Sequence, residues 1–331
     1  YDSSVGDGSL KVCMIMKRDF RGFPRALNEA RSLLKHGYHV EVIDFSLARD
    51  VRRYKWYGII VMGAQPECWI GVKGPLSTLN FLSAFFALFS EALKRRAHVY
   101  HCFDILSLLI GALLKTLCGS KLIYDAYEDW PFLISESPNF IRISKLVKFI
   151  TGVVEAILVH LADYIFTIPT RGGKLACRLK RFNKNVEVLP NFPPLDFLIK
   201  PEKQLSLAER YSGYDVIFYM GKIAEEAGIL EMVKAINMVR RKFPKVKLLI
   251  AGASRLPFEH GSYKHKVLRY IDIYDLHRNV EFIGWVPYLE LLNYLSIAKM
   301  GMALYQPTWS AYMGSATVSY THLTLPTTER V

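Results

Sequence analysis

Short apolar segments alternate with segments of helical periodicity along most of the chain, and this alternation restricts the fold more than any other feature. The segments KVCMIM (11–16), AHVYHCF (97–103) and KLIYDA (121–126) each have the length and composition of a buried β-strand. Longer segments with apolar residues at helical spacing separate them. Strands that are joined by helices form parallel sheets with helices on both faces. The sequence therefore predicts an α/β fold with doubly wound parallel sheets.

The alternation occurs twice, and a proline-containing stretch separates the two series. Residues 191–210, NFPPLDFLIKPEKQLSLAER, contain three prolines and little periodicity, which is typical of a linker. Strand-like segments resume with VIFYM (216–220) and end with MGMAL (300–304), so that the second series has only four. A chain of 331 residues is long enough for two domains. The predicted boundaries are 1–192 for an N-terminal domain, 193–212 for the linker, 213–317 for a partial C-terminal domain and 318–331 for a tail.

The composition and charge indicate a globular protein that attracts polyanions. Hydrophobic residues make up 51% of the chain and charged residues 22%, which argues against a disordered protein. The net charge of +13 favours partners such as phosphorylated small molecules, anionic lipid or nucleic acid. No nucleic-acid module is recognisable in the sequence, so we expect no nucleic-acid partner. The five cysteines are scattered and odd in number, and we expect reduced thiols, a cytoplasmic protein and no zinc site.

The longest uncharged run, GPLSTLNFLSAFFALFS at residues 74–90, predicts a core helix rather than a membrane span. The run is short for a span and contains serines, a threonine and an asparagine. Lys94, Arg95 and Arg96 follow it. A helix with basic residues at its end can also lie on a membrane surface, so a peripheral position on the inner face of the plasma membrane stays an alternative. The first nine residues are polar and predict no signal peptide.

An acidic segment follows one of the predicted strands. The stretch KLIYDAYEDWP (121–131) carries three carboxylates, among them Asp125 and Glu128, at the carboxyl end of the strand. Ligands bind open parallel sheets beyond the carboxyl ends of the strands. We therefore expect these carboxylates to remain solvated at the edge of a ligand cleft, with helix capping as the alternative. His101 lies at another strand end, and Asp104 is predicted to cap the helix that follows.

Two loops have the composition of an anion site. The first domain has the basic loop MKRDFRGFPR (16–25) after its first strand. In the second domain, the stretch YMGKIAEEAGILEMVKAI places Gly221 and Lys222 after a strand and Gly228 before a helix. A lysine and the free amides of a helix N-terminus suit a phosphate, whereas an ordinary surface turn is the alternative. The sequence lacks GxGxxG and GxxxxGK[ST], which argues against a nicotinamide-binding or a P-loop domain.

Taken together, these segments resemble family 4 glycosyltransferases with the GT-B fold. The resemblance spans about residues 11–312, and the segments that carry it are FPRALNEARSLLKHGYHVEVIDF (23–45), AHVYHCFD (97–104), KLIYDAYEDWP (121–131), NVEVLPNFPP (185–194), YMGKIAEEAGILEMVKAI (219–236) and VEFIGWVPYLELLNYLSIAKMGMALY (280–305). It implies two Rossmann-like domains that face each other across a cleft, with the second domain incomplete. It also implies that a nucleotide-sugar donor binds in that cleft.

The resemblance further implies a retaining transfer of a sugar from a nucleotide diphosphate to an acceptor hydroxyl. The residues that it implies for binding of the donor diphosphate are Gly221, Lys222, Gly228 and Arg25. Those that it implies for catalysis, by donating to a phosphate oxygen or by holding acceptor and sugar hydroxyls, are His101, Asp125 and Glu128. We expect no catalytic metal and no cofactor other than the donor substrate. The expected acceptor is a glycan or a lipid-linked sugar, with contact to an anionic membrane.

The chain departs from the family's pattern at three places. Ala227 stands where a basic residue is common, and Tyr127 stands where histidine is usual. The family's Lys-x-x-Glu-Tyr segment is not found after Tyr305, and residues 318–328, VSYTHLTLPTT, resemble translated library-adapter sequence. We therefore expect a truncated enzyme with a non-native tail from about residue 318. The alternatives are a nucleotide-sugar epimerase of the same fold and a non-catalytic glycosyltransferase-like binding module.

Overall fold

Two separate parallel sheets organise the chain, one in each of two units. The computed structural model describes residues 9–45, 53–64, 77–135, 143–170, 173–192, 204–252 and 263–304. The units are Tyr1–Pro190 and Asn191–Val331. The predicted tail, 318–331, lies outside the described residues.

The first unit contains eight described strands and six described α-helices. The strands are β1 (Lys11–Met16), β2 (His39–Asp44), β3 (Arg53–Trp56), β4 (Ile59–Gly63), β5 (Val99–Cys102), β6 (Lys121–Ala126), β7 (Tyr164–Thr167) and β8 (Val186–Val188). The helices are α1 (Pro24–Lys35), α2 (Ser77–Arg95), α3 (Ile105–Cys118), α4 (Trp130–Ser135), α5 (Ser144–Leu161) and α6 (Lys174–Leu179). The strand order in the sheet is β3–β4–β2–β1–β5–β6–β7–β8, and β3 runs antiparallel to β4 while the other described pairs are parallel.

The strand order reverses between β1 and β5, which locates the ligand-binding edge of the first unit. From β1 the chain moves to β2 on one side, and from β4 it crosses back to β5 on the other side. Right-handed crossovers then place α1 and α2 on opposite faces of the sheet. Helices α2, α3 and α5 pack side by side. In doubly wound sheets the point of reversal opens a crevice at the carboxyl ends of the strands.

Local capping interactions fix the ends of the helices that flank this point. Pro24 begins α1, where its missing amide hydrogen leaves no intrahelical bond unmade. Asp104 caps α3 as the sequence predicts: its carboxylate accepts from the Ser107 amide, and the Ser107 hydroxyl accepts in return from the Asp104 amide. Gly119 ends the same helix in the left-handed conformation that favours glycine.

The second unit repeats the plan with four described strands. They are β9 (Asp215–Met220), β10 (Val246–Ala251), β11 (Val280–Gly284) and β12 (Met300–Gly301), and the helices are α7 (Gln204–Arg210), α8 (Ile229–Val239), α9 (Tyr263–Ile273) and α10 (Leu291–Ile297). The order β11–β10–β9–β12 is parallel throughout and reverses between β9 and β12. Buried apolar side chains of α8, β10 and α9, such as Ile236, Leu248 and Val267, form the core on one side of this sheet.

The predicted parallel α/β architecture is confirmed, and the structure adds elements that periodicity did not reveal. Strand β3 and the short helix α4 were not predicted, because four to six residues show too little periodicity. Helix α7 lies inside the stretch that was interpreted as a linker with little periodicity, so residues 204–210 of that stretch are helical. The linker boundaries stay a prediction. Within the part of the chain that the structure describes, no helix is both long enough and apolar enough to cross a membrane.

Candidate functional site

The centre of the reversal point in the first unit is a buried pair between Arg25 and Asp125. Arg25 lies in the first turn of α1 and is 3% exposed, and Asp125 lies near the end of β6 with no exposed surface. The arginine donates from Nε to Oδ2 at 2.5 Å and from Nη2 to Oδ1 at 2.9 Å. Its Nη1 donates to the carbonyl oxygen of Leu189 at 2.9 Å. Two parallel hydrogen bonds between a guanidinium and a carboxylate fix both the position and the orientation of each group.

Glu29 and His101 complete this cluster. Glu29 lies one helical turn after Arg25, and its Oε1 is 3.2 Å from Arg25 Nε. His101 lies in β5, stacks its ring on Phe103 at 4.6 Å, and places Nε2 3.6 Å from Glu29 Oε2. Among the described residues, His101 Nε2 has no hydrogen-bond partner. A buried polar nitrogen without a partner is costly, and its place beside a ligand-binding edge makes it a candidate contact to a ligand.

Burial sets the protonation states within the cluster. Burial lowers the pKa of His101 to about 4, with the Asp125 carboxylate acting in the opposite direction and Arg25 adding to the decrease. Burial also raises the pKa of Glu29 well above its usual range, and the neighbouring Asp125 charge adds to this increase. The imidazole of His101 is therefore neutral at pH 7, and the Glu29 carboxyl favours its protonated form.

The burial of Asp125 corrects one expectation from the sequence, whereas the expected role of Glu128 stays untested. Asp125 was expected to be a solvated carboxylate, but it is fully buried because α1 covers the end of β6 and brings Arg25 onto both of its oxygens. Glu128 is half-buried in the turn before α4. Its proposed contact with hydroxyl groups stays a prediction.

Asp129, the third carboxylate of the acidic segment, belongs to a structural network. Its Oδ1 lies 3.4 Å from Arg178 Nη2, and Arg178 also pairs with the fully buried Glu155 of α5. Glu155 in turn accepts a hydrogen bond from the Tyr124 hydroxyl at 3.0 Å. The network joins α5 and α6 to β6. Sequence reasoning missed it, because nothing in the local pattern distinguishes the buried Glu155 from a surface glutamate.

The basic loop after β1 is anchored to the first unit, although Lys17 and Arg18 are exposed. The Lys17 amide donates to Asp104 at 2.7 Å, and Arg18 lies over the ring of Phe23 at 4.6 Å. Arg18 also donates from Nη1 to the hydroxyl of Tyr127 at 3.2 Å. Tyr127 thus helps to hold this loop.

Asp44, at the end of β2, is a second buried acid that sequence reasoning missed. It accepts from the Phe20 amide at 2.9 Å and from the Tyr54 hydroxyl at 2.6 Å. Burial raises the pKa of Asp44 to about 6, although these two hydrogen bonds oppose the increase. An acid at or near the end of an apolar strand is the sequence signal that could have revealed Asp44. The same signal revealed Asp125.

In the second unit, two glycines bring the ends of β9 and β10 into backbone contact. Gly221 follows β9 and Gly252 follows β10. A Cβ atom on Gly252, whose φ is +153°, would lie 1.8 Å from the Gly221 carbonyl oxygen, so no side chain fits there. Gly221 and Lys222 were predicted for this edge, whereas Gly252 was missed, although the KLLIAG segment has the same strand-then-glycine pattern.

Gly228 meets the loop after β12 at the reversal point of the second sheet. It has a φ of +66° and immediately precedes α8. A Cβ atom at this position would lie 1.9 Å from the Leu304 carbonyl oxygen. Glycine is therefore required both for the conformation and for the close approach. The arrangement places the first amides of α8 next to the strand ends, where an anion can approach them.

Two contacts already occupy part of this edge. Lys222 pairs with Glu226, one helical turn later, and both side chains are partly exposed, at 43% and 37%. The Tyr263 hydroxyl accepts from the Leu230 amide at 2.8 Å, which uses one donor of the first turn of α8. An exposed ion pair of this kind contributes little stability, so an anionic ligand can displace Glu226.

Glu29, His101 and Asp125 also have the spacing of metal ligands, with their nearest ligand atoms within 4.8 Å of one another. Arg25 hydrogen-bonds to both oxygens of Asp125, and its charge would repel a cation at that position. The donor set thus suits a guanidinium rather than a metal ion. That the reaction needs no metal stays a prediction.

Glu29 was missed by sequence reasoning, although a signal is present. It falls on the same face of α1 as the buried Arg25, Ala26 and Ala30, four residues after a basic residue. An acid on the buried face of an amphipathic helix is a candidate for a functional or paired carboxyl.

A protein-family model matches part of the second unit. Residues 203–304 match the family "Glycosyl transferases group 1". A comparison with curated protein sequences found no match. The family match covers both the glycine-lined strand ends and the beginning of α8.

Solved structures share the fold over nearly the whole chain. Sucrose-phosphate synthase from Thermosynechococcus elongatus aligns with a TM-score of 0.64 at 16% identity, covering 90% of this chain and 77% of that one. Anabaena HepE in complex with UDP and glucose gives 0.60 at 13% identity, with 89% and 74% covered. The catalytic domain of starch synthase IV from Arabidopsis thaliana, bound to ADP and acarbose, gives 0.58 at 11% identity, with 89% and 78% covered. The family match and the shared fold together support a glycosyltransferase enzyme of the GT-B fold.

Proposed function

We propose that the chain transfers a sugar from a nucleotide-diphosphate sugar to an acceptor hydroxyl with retention of anomeric configuration. The observation that carries this proposal is the glycine-lined edge of the second sheet, which lies inside the region that matches the glycosyl transferases group 1 family. The solved structures with UDP or ADP have the same fold, which supports a nucleotide donor.

The donor diphosphate binds at the reversal point of the second sheet. Helix α8 is 11 residues long and presents its N-terminus there. Its dipole and free amides stabilise negative charge. Gly221 and Gly228 allow the backbone to approach the phosphate oxygens. Lys222 leaves its ion pair with Glu226 and binds these phosphate oxygens instead. Because Ala227 contributes no charge, Lys222 supplies the cation that stabilises the departing diphosphate in this unit.

His101 and Glu128 act on the acceptor or sugar side in this proposal. A neutral imidazole can donate a single hydrogen bond from Nε2, which suits a hydroxyl or a phosphate oxygen. Arg25 and Asp125 serve as a rigid support for His101 and Glu29, since their hydrogen-bonding groups are used within the cluster. This assignment replaces the expected phosphate contact of Arg25 and hydroxyl contact of Asp125 with a positioning role. The acceptor is a glycan or a lipid-linked sugar.

Turnover of a panel of nucleotide sugars tests the proposal. The chain is incubated with UDP-, ADP- and GDP-sugars, with and without glycan or lipid-linked acceptors, and the released nucleoside diphosphate is measured. We expect release that depends on both one donor and one acceptor, and an anomeric proton coupling in the product that matches the donor.

Two results would overturn the proposal. Release of nucleoside diphosphate together with an altered sugar, without any acceptor, indicates an epimerase. Binding of nucleoside diphosphate without turnover for any acceptor indicates a binding module, which the absence of a basic residue at Ala227 favours as the second candidate. Calorimetric titration with UDP, ADP and GDP separates this last case from a failure to bind.

A further inference from the structure

Helix α5 is apolar on nearly its whole circumference, yet one side of it faces solvent. Its 18 residues read SKLVKFITGVVEAILVHL. Leu158 and Val159 are buried on the side that packs towards α3 and α4. The opposite side is exposed, with Phe149 at 69% and Ile157 at 60%. A helix that is apolar all round requires an apolar environment on both sides.

The exposed apolar side chains form one continuous stripe along the helix. They recur at intervals of three and four residues, and they include Leu146, Phe149, Ile150, Val153, Ile157 and Leu161. Single exposed apolar residues are ordinary, but a stripe along four to five helical turns is not. The stripe therefore marks a surface that a lipid membrane or another molecule covers.

A groove between α5 and the segment after α6 extends this surface. It has a volume of about 950 Å³ and is lined by Phe149, Val153, Ile157 and Phe182, with Arg181 at its edge. The groove is lined mostly by apolar side chains, which suits a hydrocarbon chain, and Arg181 in the lining suits a polar anionic head group.

Among the described residues, the exposed charged side chains that flank the stripe are cationic. Lys145 and Lys148 flank its N-terminal half, and both are exposed. Lys180 and Arg181 are exposed beside its C-terminal half. Glu155 is the sole acid within α5, and it is fully buried and paired with Arg178. The exposed side of α5 thus combines apolar and cationic groups without a carboxylate of its own.

Helix α2, for which the sequence left a membrane-surface position as an alternative, differs from α5 in the charges beside its exposed apolar residues. It also exposes apolar residues, with Leu82 at 49%, Phe86 at 62% and Leu93 at 39%. However, Lys94 pairs with Glu91 at 2.6 Å, and Arg95 pairs with Glu91 at 3.1 Å. The single carboxylate of Glu91 offsets part of the positive charge that follows the uncharged run, whereas the exposed side of α5 has no carboxylate of its own.

We propose that the exposed side of α5, together with the groove at Phe182, is a docking surface for an anionic lipid bilayer. An interfacial helix buries its apolar side chains among the acyl chains while lysines and arginines contact anionic headgroups. A second copy of the chain fits less well, because two such surfaces would bring like charges together in a protein of net charge +13. The proposal is independent of sugar transfer.

Sedimentation with vesicles tests the proposal. The chain is mixed with vesicles of phosphatidylcholine alone and with vesicles that also contain phosphatidylglycerol. We expect binding to the anionic vesicles that weakens as salt is added. The double variant Lys145→Gln/Lys148→Gln should lower the partition coefficient by about fivefold for each lysine. The double variant Phe149→Ser/Ile157→Ser should lower it at least as much, also at high salt.

Matched variants on α2 provide the control, namely Phe86→Ser and Lys94→Gln/Arg95→Gln, which should leave binding unchanged. Circular dichroism of each variant checks that it is folded. Equal binding to neutral and anionic vesicles, or a loss with the α2 variants instead of the α5 variants, would overturn the proposal. So would a wild-type dimer in light scattering that Phe149→Ser/Ile157→Ser converts to a monomer without vesicles, because a second copy would then cover the surface.

Discussion

Arg25 and Asp125 are 100 residues apart in the chain, yet the arginine donates two hydrogen bonds to the aspartate at 2.5 and 2.9 Å. The pair joins the first turn of α1 to the end of β6 and encloses His101 and Glu29. Because both carboxylate oxygens accept from the guanidinium, we propose that this acid supports the site instead of binding sugar hydroxyls.

Replacing Arg25 by lysine should destabilise the first unit. Lysine keeps the positive charge but cannot make the two parallel hydrogen bonds, and the loss of a hydrogen bond to a charged group costs about 1.5–3 kcal/mol of unfolding free energy. Urea unfolding at pH 7 measures the change. The control Lys94→Ala removes an exposed partner of Glu91 and should cost about 0–1 kcal/mol. Equal effects of the two variants would show that the Arg25–Asp125 pair is not formed in solution.

His101 should make the protein less stable as the pH falls. Burial lowers the pKa of His101 from 6.5 to about 4, so the native state binds fewer protons than the unfolded state between these values. The stabilising contribution of the neutral form is complete above pH 6.5 and decreases by about 3 kcal/mol as the pH falls to 4.

The variant His101→Gln should lack this part of the pH dependence. Urea unfolding of wild type and variant from pH 7.5 to 4.5 measures the difference. His36→Gln, which changes an exposed histidine of the same unit, should keep the wild-type pH dependence. Parallel curves for wild type and His101→Gln would contradict the lowered pKa.

Asp44, in contrast to His101, should make the protein more stable as the pH falls. Burial raises the pKa of Asp44 from 3.8 to about 6, so the native state binds more protons than the unfolded state in that range. The contribution of Asp44 to the unfolding free energy is largest below pH 4. It decreases by about 3 kcal/mol in total as the pH rises through 6. Asp44→Asn should therefore gain stability relative to wild type as the pH rises from 4 to 7.

Tyr54→Phe provides a second arm of this test. The Tyr54 hydroxyl stabilises the charged Asp44 by donating to Oδ2 at 2.6 Å. Its removal should raise the pKa of Asp44 further and extend the loss of stability to higher pH. An unfolding curve for Tyr54→Phe that changes with pH as the wild type does would indicate that the hydrogen bond does not act on the carboxylate.

Gly228→Ala should disrupt the edge of the second sheet. Alanine in the left-handed region costs about 1–2 kcal/mol, and its Cβ would also lie 1.9 Å from the Leu304 carbonyl oxygen. Gly213→Ala is the matched control, since Gly213 has a φ of +81° and open space around a Cβ. We expect Gly228→Ala to lower the unfolding free energy by at least about 1 kcal/mol more than the control. Equal losses would mean that the loop after β12 is not in contact with Gly228.

Lys222→Ala should weaken binding of nucleoside diphosphates by about tenfold or more, because it removes a charged hydrogen-bond donor to phosphate. Lys234→Ala is the matched control: Lys234 pairs with Glu231 on the same helix and is similarly exposed, at 49%. Isothermal calorimetry with UDP, ADP and GDP measures both. Glu226→Gln should strengthen binding, since it frees Lys222. Identical dissociation constants for the two lysine variants would remove Lys222 from the proposed donor site.

The positions of several candidate site residues could be predicted because they lie at strand ends. His101, Asp125 and Gly221 each follow or end an apolar run that periodicity identifies as a strand, and parallel strands bring their carboxyl ends to one edge. Glu29 and Asp44 were missed, since a single acid on a helix or at a strand end acquires its importance from neighbours that are remote in sequence.

The sequence by itself determined the alternation of helices with strands and the parallel sheets, because these depend on local periodicity and on chain connectivity. Only the tertiary structure decided which charges are buried and paired. The Arg25–Asp125 pair, the neutral His101 and the exposed apolar side of α5 all depend on which elements pack together. Burial and electrostatic environment arise from contacts between distant segments, and no local pattern records them.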